Sequence, residues 1–247
     1  MNKLNHIAFI MDGNGRWGKK KNKSRNYGHY FGVKTVKKIV EKSIKLKIPI
    51  VTFYVFSTEN WRRPKKEINF LFKLIKNYFN AELPNVIKNG IKIKIIGEVK
   101  NLPKSLKVIL KNTEKKTKHN KKITVVLALN YGAKKEILNS LKKSIKKITV
   151  NLALNYGAKK EILNALKKSI KKITEKEICK NLYTKNMPDP DILIRTGGRK
   201  RLSNFMLWQL AYTELYFLDK LWPDFSSKDL EKIIKSYHNI KRNYGGI

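Results

Sequence analysis

The sequence predicts an α/β fold with a mainly parallel central sheet flanked by helices. Two observations carry this. Short β-branched and aromatic runs alternate with stretches whose apolar residues recur at helical spacing. The runs also stop abruptly at turns rich in Gly, Asn, Asp or Arg, as strands do on leaving a buried sheet. In sheets of this kind ligands bind beyond the carboxyl ends of the strands.

The first run, Ile7 to Met11, reads as a buried strand and stops at Asp12-Gly13-Asn14-Gly15, followed by Arg16 and Trp17. Asp12 is placed to hold a hard cation, the glycines let backbone N–H groups approach oxygens, and Arg16 offers a fork to phosphate. Residues 18–26 are basic and poorly patterned, and read as a loop. From about Tyr27 a helix follows, with Val33, Val36, Val40 and Ile44 on one face, and it places Arg25 and His29 near Asp12. Ile50 to Phe56 is the second strand and runs into Ser57-Thr58-Glu59-Asn60-Trp61-Arg62-Arg63-Pro64. The next helix carries Ile68, Leu71, Phe72, Ile75 and Phe79 as a wide apolar stripe, suited to a core or to the wall of an apolar cleft.

Ile91 to Ile96 is the third strand, Pro103 to about Lys116 a basic amphipathic helix, and Ile123 to Leu129 the fourth strand. Asn130-Tyr131-Gly132 reads as its turn, before a helix through Ile145. Residues Ile123 to Lys147 then recur as Ile148 to Lys172, differing only at Val126/Asn151 and Ser140/Ala165. Two copies are too few for a solenoid. Copy one is expected in the sheet, with 158–172 as an added helix and 148–157 as its lead. Thr174 to Glu177 is a capping box. Ile192 to Ile194 is a further strand, ending in Arg195-Thr196-Gly197-Gly198-Arg199-Lys200-Arg201. Glu214 lies in an otherwise apolar stretch, where an unpaired carboxylate is costly, so it needs a metal or an arginine. Trp222 to Phe225 precede a last helix.

The chain has 247 residues, a net charge of +38 and 41% hydrophobic residues, which admits polyanions as partners and gives ample core. Only eight of its 56 cationic residues are arginine: Arg16, Arg25, Arg62, Arg63, Arg195, Arg199, Arg201 and Arg242. Lysine is scattered, whereas arginine clusters beside turns, where a planar fork grips phosphate in a way that a single ammonium does not match. The lone Cys179 fits a reducing compartment and excludes an intramolecular disulfide. There is no signal-peptide pattern and no apolar run near the roughly 20 residues of a membrane span, so a cytoplasmic protein is expected.

Taken together, Met11 to Trp17, Phe56 to Pro64, Asn130-Tyr131-Gly132, Ile194 to Phe205 and Leu207 to Phe225 resemble the cis-prenyltransferases, with bacterial undecaprenyl diphosphate synthase the nearest type. The likeness spans nearly the whole chain in order. It implies one catalytic domain over residues 1–247, an apolar tunnel and a homodimer. The implied activity is elongation of an allylic diphosphate, farnesyl diphosphate above all, with isopentenyl diphosphate and Mg²⁺, to a long-chain polyprenyl diphosphate. Peripheral contact with the inner membrane face is admitted for product release. By matching position, Asp12 and Asn60 would be catalytic, and Asp12 and Glu214 would hold the metal. Gly13, Asn14, Gly15, Arg16, Trp17, Arg25 and His29 would surround the allylic diphosphate. Ser57, Thr58, Glu59, Trp61 and Arg63 would form the second turn of the site, and Arg195, Arg201, Leu202 and Ser203 would grip isopentenyl diphosphate. The stripe from Ile68 to Phe79 would wall the tunnel, and the residues before Asn-Tyr-Gly would help floor it. Arg199 replaces a residue that is frequently acidic in the family, and Asn243-Tyr244-Gly245 replaces an Arg-x-Gly. Two other readings are a non-catalytic partner subunit, which should have lost Asp12, Asn60 and Glu214, and a nucleic-acid binder. The second has only the net charge behind it, and no nucleic-acid partner is expected.

Overall fold

The computed structural model describes residues 2–144 and 174–242. Six parallel strands form one sheet in the order β3-β4-β2-β1-β5-β6: β1 His6–Ile10, β2 Ile50–Ser57, β3 Ile91–Ile96, β4 Ile123–Tyr131, β5 Ile192–Arg195 and β6 Glu214–Phe217. The described helices are α1 Asn14–Lys20, α2 Arg25–Lys45, α3 Lys65–Lys88, α4 Lys104–Thr117, α5 Ala133–Ser144, α6 Glu175–Asn181 and α7 Ser227–His238. A five-residue 3-10 turn, Thr58–Arg62, joins β2 to the segment before α3. β4 comes from the first copy of the duplication; the second copy, and the tail Asn243-Tyr244-Gly245, lie outside the described residues.

Period-2 alternation sorts the strand residues onto two faces. Ile7, Phe9, Val51, Phe53, Val125, Leu127, Ile192 and Ile194 belong to the larger core, with Ile39 of α2, Phe72 and Phe79 of α3, Leu106 of α4 and Tyr237 of α7. Ala8, Ile10, Val126, Ala128 and Leu193 point the other way, onto Phe205 and Met206. Both faces are covered, which explains why the strands read as unbroken apolar runs. Among the described residues no helix is long and apolar enough to cross a membrane.

Three local readings change. Residues 18–26 are not one loop: Asn14–Lys20 is helical, and α2 starts at Arg25 with Ser24 Oγ accepting from Tyr27 N–H at 3.2 Å. Helix α1 is too short and too basic to show an apolar period, so only its Trp17 anchor could have revealed it. Asn130 and Tyr131 belong to β4, not to a turn. The apolar stretch after Phe205 contains a sixth strand that the sequence did not resolve.

His6 sits at the start of β1, fully buried. Its Nδ1 lies 2.9 Å from the Pro188 carbonyl and its Nε2 2.7 Å from Thr52 Oγ1, so the ring donates to one and accepts from the other. Burial lowers its pKa from 6.5 to about 4, against the Pro188 hydrogen bond and Asp191. The unfolded chain therefore takes up a proton that the fold refuses between those two values, and stability falls as pH drops through that window. From about pH 7.5 to about pH 5.5 the loss from His6 is about 1 kcal/mol. Guanidinium unfolding of the wild type and of a His6→Gln variant checks it, because the stability gap between them should narrow by that amount. A gap that stays constant with pH would refute the assignment.

Candidate active site

The parallel sheet brings the carboxyl ends of β1, β2, β4 and β5 to one edge. At the end of β1, Gly13 takes φ 101° and ψ −3°, and a Cβ there would stand 2.7 Å from Leu221 Cδ2, so only glycine fits. The turn fixes Asp12, whose backbone oxygen accepts from Thr196 Oγ1 at 2.9 Å and from Trp222 N–H at 3.0 Å. Its carboxylate is shared by two guanidinium groups: Arg16 Nη2 at 3.2 Å on Oδ1 and Arg195 Nη2 at 3.0 Å on Oδ2. Arg195 ends β5 and is 3% exposed. Its other arm donates to Ser203 Oγ at 2.8 Å and to the Arg201 carbonyl. Burial lowers its pKa, and Asp12 opposes that shift.

A second cluster faces the first. Glu67, in the first turn of α3, accepts from Arg25 Nε at 3.0 Å and Nη2 at 3.3 Å, from Arg63 Nη1 at 3.2 Å and from His29 Nε2 at 3.3 Å. Burial and then Arg63 lower the His29 pKa to about 4, so the imidazole is neutral at ordinary pH and donates one N–H to the carboxylate. Gly15 allows Arg25 to lie against α1, since a Cβ would come within 2.7 Å of Arg25 Cζ. Glu67 was not singled out from the sequence. Its only signal there is the four-residue spacing from Arg63, the separation of an ion pair on a helix face.

The turn after β2 supplies the third wall. Asn60 Oδ1 accepts from Ser57 N–H at 3.2 Å. Glu59 Oε1 accepts from Thr58 Oγ1 at 3.1 Å and Asn204 Nδ2 at 2.9 Å. Trp61 Nε1 donates to Asn130 Oδ1 at 2.8 Å. Asp12, Asn14, His29, Ser57, Glu59, Asn60, Arg63, Arg195, Arg201 and Ser203 thus line one cleft of about 570 Å³.

Beneath the cleft lies an apolar cavity of about 120 Å³, walled by Val33 and Val36 of α2 and by Leu71, Leu74, Ile75, Tyr78 and Phe79 of α3. Leu127 and Leu129 of β4 contribute its floor. The two spaces share Met11, Asn14, His29, Val55 and Leu71. Of the stripe expected as a wall, Leu71, Ile75 and Phe79 line the cavity, while buried Ile68 and Phe72 pack into the core.

Three expected residues stand apart. Trp17 is buried against Tyr27 and Phe31 and donates to Asp224 Oδ1 at 2.7 Å; it lines neither cleft nor cavity. Leu202 packs against the core beneath β5. Glu214 does not meet Asp12 within the chain. It starts β6 opposite Ile192, three strand positions, or about 10 Å, before Arg195 and Ile10. Its partner there is Arg242, with Nε 3.5 Å from Oε1. Among the described residues no three His, Cys, Asp or Glu side chains gather as a metal cluster.

A sequence profile described as "Putative undecaprenyl diphosphate synthase" matches residues 10–148 and 142–245, two stretches that together cover most of the chain. The chain belongs to this prenyltransferase family. A ditrans,polycis-undecaprenyl-diphosphate synthase from Micrococcus luteus, described as specific for (2E,6E)-farnesyl diphosphate, is 44% identical over 98% of this chain and 91% of its own length. An isoprenyl transferase from Helicobacter pylori strain 26695 is 43% identical over 99% of this chain and 97% of its own. Two crystal structures share the fold. A protein from Campylobacter jejuni, described as a "probable undecaprenyl diphosphate synthase", is 33% identical with TM-score 0.77 over the whole of both chains. Lavandulyl diphosphate synthase from Lavandula x intermedia, in complex with dimethylallyl diphosphate, is 31% identical with TM-score 0.85 over 98% of each chain. As a member of the prenyltransferase family this protein is an enzyme of cis-prenyl chain elongation.

The planar fork of Arg195 reaches Asp12, Ser203 and the Arg201 carbonyl at once, and a single ammonium cannot do the same. Arg195→Lys should lower kcat/KM by roughly tenfold or more, while a surface exchange such as Lys111→Arg should leave it within error. Steady-state kinetics on the two variants compares them, and equal effects would count against the fork.

Proposed function

We propose that the cleft holds two diphosphates side by side and that the product chain grows into the apolar cavity between α2 and α3. The observation that carries this is the continuity of a cationic cleft with an apolar space through Met11, Asn14, His29, Val55 and Leu71. The allylic diphosphate, farnesyl diphosphate as starter, takes the side of Asp12, Asn14, Arg25, His29 and Arg63. Isopentenyl diphosphate takes the side of Arg195, Arg201 and Ser203.

In the reaction the allylic C–O bond breaks and leaves as diphosphate, the isopentenyl double bond attacks the allylic carbon, and a proton is lost to form the new cis double bond. The arginine forks stabilise negative charge as it gathers on the departing oxygens. Asn60 assists proton removal by orientation. An amide is too weakly basic to keep the proton, so a diphosphate oxygen is the acceptor. No protein nucleophile is needed.

The donor set fits Mg²⁺ in one respect: Asp12 is a hard carboxylate facing the cleft, and Mg²⁺ is commonly held by one or two carboxylates together with substrate phosphates. When bound, the ion would neutralise diphosphate charge. Both Asp12 oxygens are engaged by arginines, so the ion is expected to need the substrate's oxygens as well. Asp12→Ala should leave the circular dichroism spectrum unchanged and reduce turnover of farnesyl and isopentenyl diphosphates at least a hundredfold, on the order expected for removal of a charge-stabilising group. Removing Mg²⁺ with a chelator should have a like effect on the wild type. Mass analysis of the product should show a ladder of five-carbon additions. Near-full turnover by the folded variant would overturn the site.

A homodimer is the assembly we propose. β6 is an edge strand carrying Leu215 at 44% exposure, and Tyr212 just before it is 62% exposed. Such an edge calls for cover. A second chain is also the remaining way to bring Glu214 to a metal at Asp12. Light scattering at micromolar concentration should give twice the 28.9 kDa of the chain, and a monomer mass would dismiss the proposal.

A further inference from the structure

The proposed site leaves the Asn130-Tyr131-Gly132 sequence without a role, although Asn130 is among the most constrained residues near the cleft. It is 3% exposed and takes the left-handed conformation, with φ 48°. Few side chains tolerate that region; glycine does so freely, and Asn and Asp do so better than the rest. Both ends of its amide are engaged. Oδ1 accepts from Trp61 Nε1 at 2.8 Å, and Nδ2 donates to the Glu98 carbonyl at 2.8 Å. The Asn130 carbonyl accepts in turn from Glu98 N–H at 3.2 Å. One residue therefore ties the exit of β3 and the end of β4 to the turn after β2.

That turn carries Asn60 immediately before Trp61 and ends beside Arg63. The Trp61 ring is 39% exposed and packs edge-on to Phe56 and Phe72. These apolar contacts hold the ring laterally, whereas the single directional contact on the indole N–H comes from Asn130. We propose that Asn130 is a positioning residue for the reaction: acting through Trp61, it fixes the turn so that Asn60 and Arg63 face the diphosphates. The inference rests on the reading that this turn belongs to the site. The left-handed backbone explains the choice of residue. Glycine would keep the conformation and lose both side-chain bonds, aspartate would keep the acceptor and lose the donor, and alanine would be strained and bond to neither.

The test measures kcat at saturating farnesyl and isopentenyl diphosphates, per folded protein, for Asn130→Gly, Trp61→Phe, their combination and Asn130→Asp. Trp61→Phe keeps an aromatic ring and deletes the N–H. Each of Asn130→Gly and Trp61→Phe should lower kcat about tenfold, and the double variant should fall no further than the worse single one, the behaviour of groups acting as a unit. Asn130→Asp still accepts from the indole and should recover most of kcat, whatever its melting temperature. A role confined to stability would move the melting temperature and leave kcat untouched. If Trp61→Phe keeps wild-type kcat, the reading of the turn fails. If Trp61→Phe is impaired while Asn130→Gly is not, or the two losses multiply, the inference about Asn130 fails. Should Asn130→Gly not fold, Asn130→Asp decides alone: near-wild-type kcat upholds the role, and a loss matching Trp61→Phe overturns it.

Discussion

The ion pair between Asp12 and Arg195 ties the site to the sheet. Arg195 ends β5 level with Ile10, and its guanidinium is almost wholly buried, a placement that costs several kcal/mol for an unpaired charge. Asp12 compensates that charge, and the same carboxylate is the acid facing the cleft. Because the two strands are parallel and adjacent, their exits emerge side by side, and the pair needs no long loop to meet. Arg16 then reaches back from α1 to Asp12 and to the Gly197 carbonyl at 2.7 Å, so the loop after β5 is fastened to the helix after β1. The exits of β1 and β5 and the helix after β1 thus meet at one carboxylate.

The net charge of +38 says little about how the cleft works. Exposed lysines act over roughly a Debye length, about 8–10 Å at physiological salt. The cleft lining contains Arg63, Arg195 and Arg201 and no lysine. Four of the arginines at the site are pre-oriented by acids, Arg16 and Arg195 by Asp12 and Arg25 and Arg63 by Glu67, while Arg201 Nε donates to Ser203 Oγ at 3.3 Å. Each has N–H groups left over, because a guanidinium carries five. Orientation is therefore settled before substrate arrives, which lowers the entropy lost on binding.

Much of this was legible in the sequence because parallel strands buried on both faces read as unbroken β-branched runs. Ile50 to Phe56 and Ile123 to Leu129 lie within one or two residues of β2 and β4 for that reason. The arginine count exposed the anion-binding turns for a separate reason, the chemistry of the fork. What stayed hidden lacks a periodic signature. Helix α1 has seven residues and a single apolar anchor. β6 has four residues and lies inside a longer apolar stretch that masks its alternation. Glu67 looks like any helix-surface glutamate until α2 brings Arg25 and His29 against it, a contact between residues about 40 apart. The sequence shows that Glu214 needs a cation, and the fold supplies Arg242 from 28 residues downstream.

His29 shows how the polar and apolar halves of the site can adjoin. It lines both the cleft and the cavity, so whichever state it adopts faces apolar carbon on one side and the polar cleft on the other. A protonated imidazole would help hold an anion, yet even beside Glu67 it would place a charge at the edge of the apolar cavity, where desolvation is costly. Burial resolves the conflict by lowering the pKa to about 4, and the neighbouring Arg63 reinforces it. The neutral ring can still give an N–H, and Glu67 now takes it. Full positive charge is carried instead by Arg25 and Arg63, whose side chains are 45% and 32% exposed and so remain hydrated. Full charges stay on the wet rim and an uncharged donor stands at the apolar boundary, which is the order a diphosphate with a hydrocarbon tail requires.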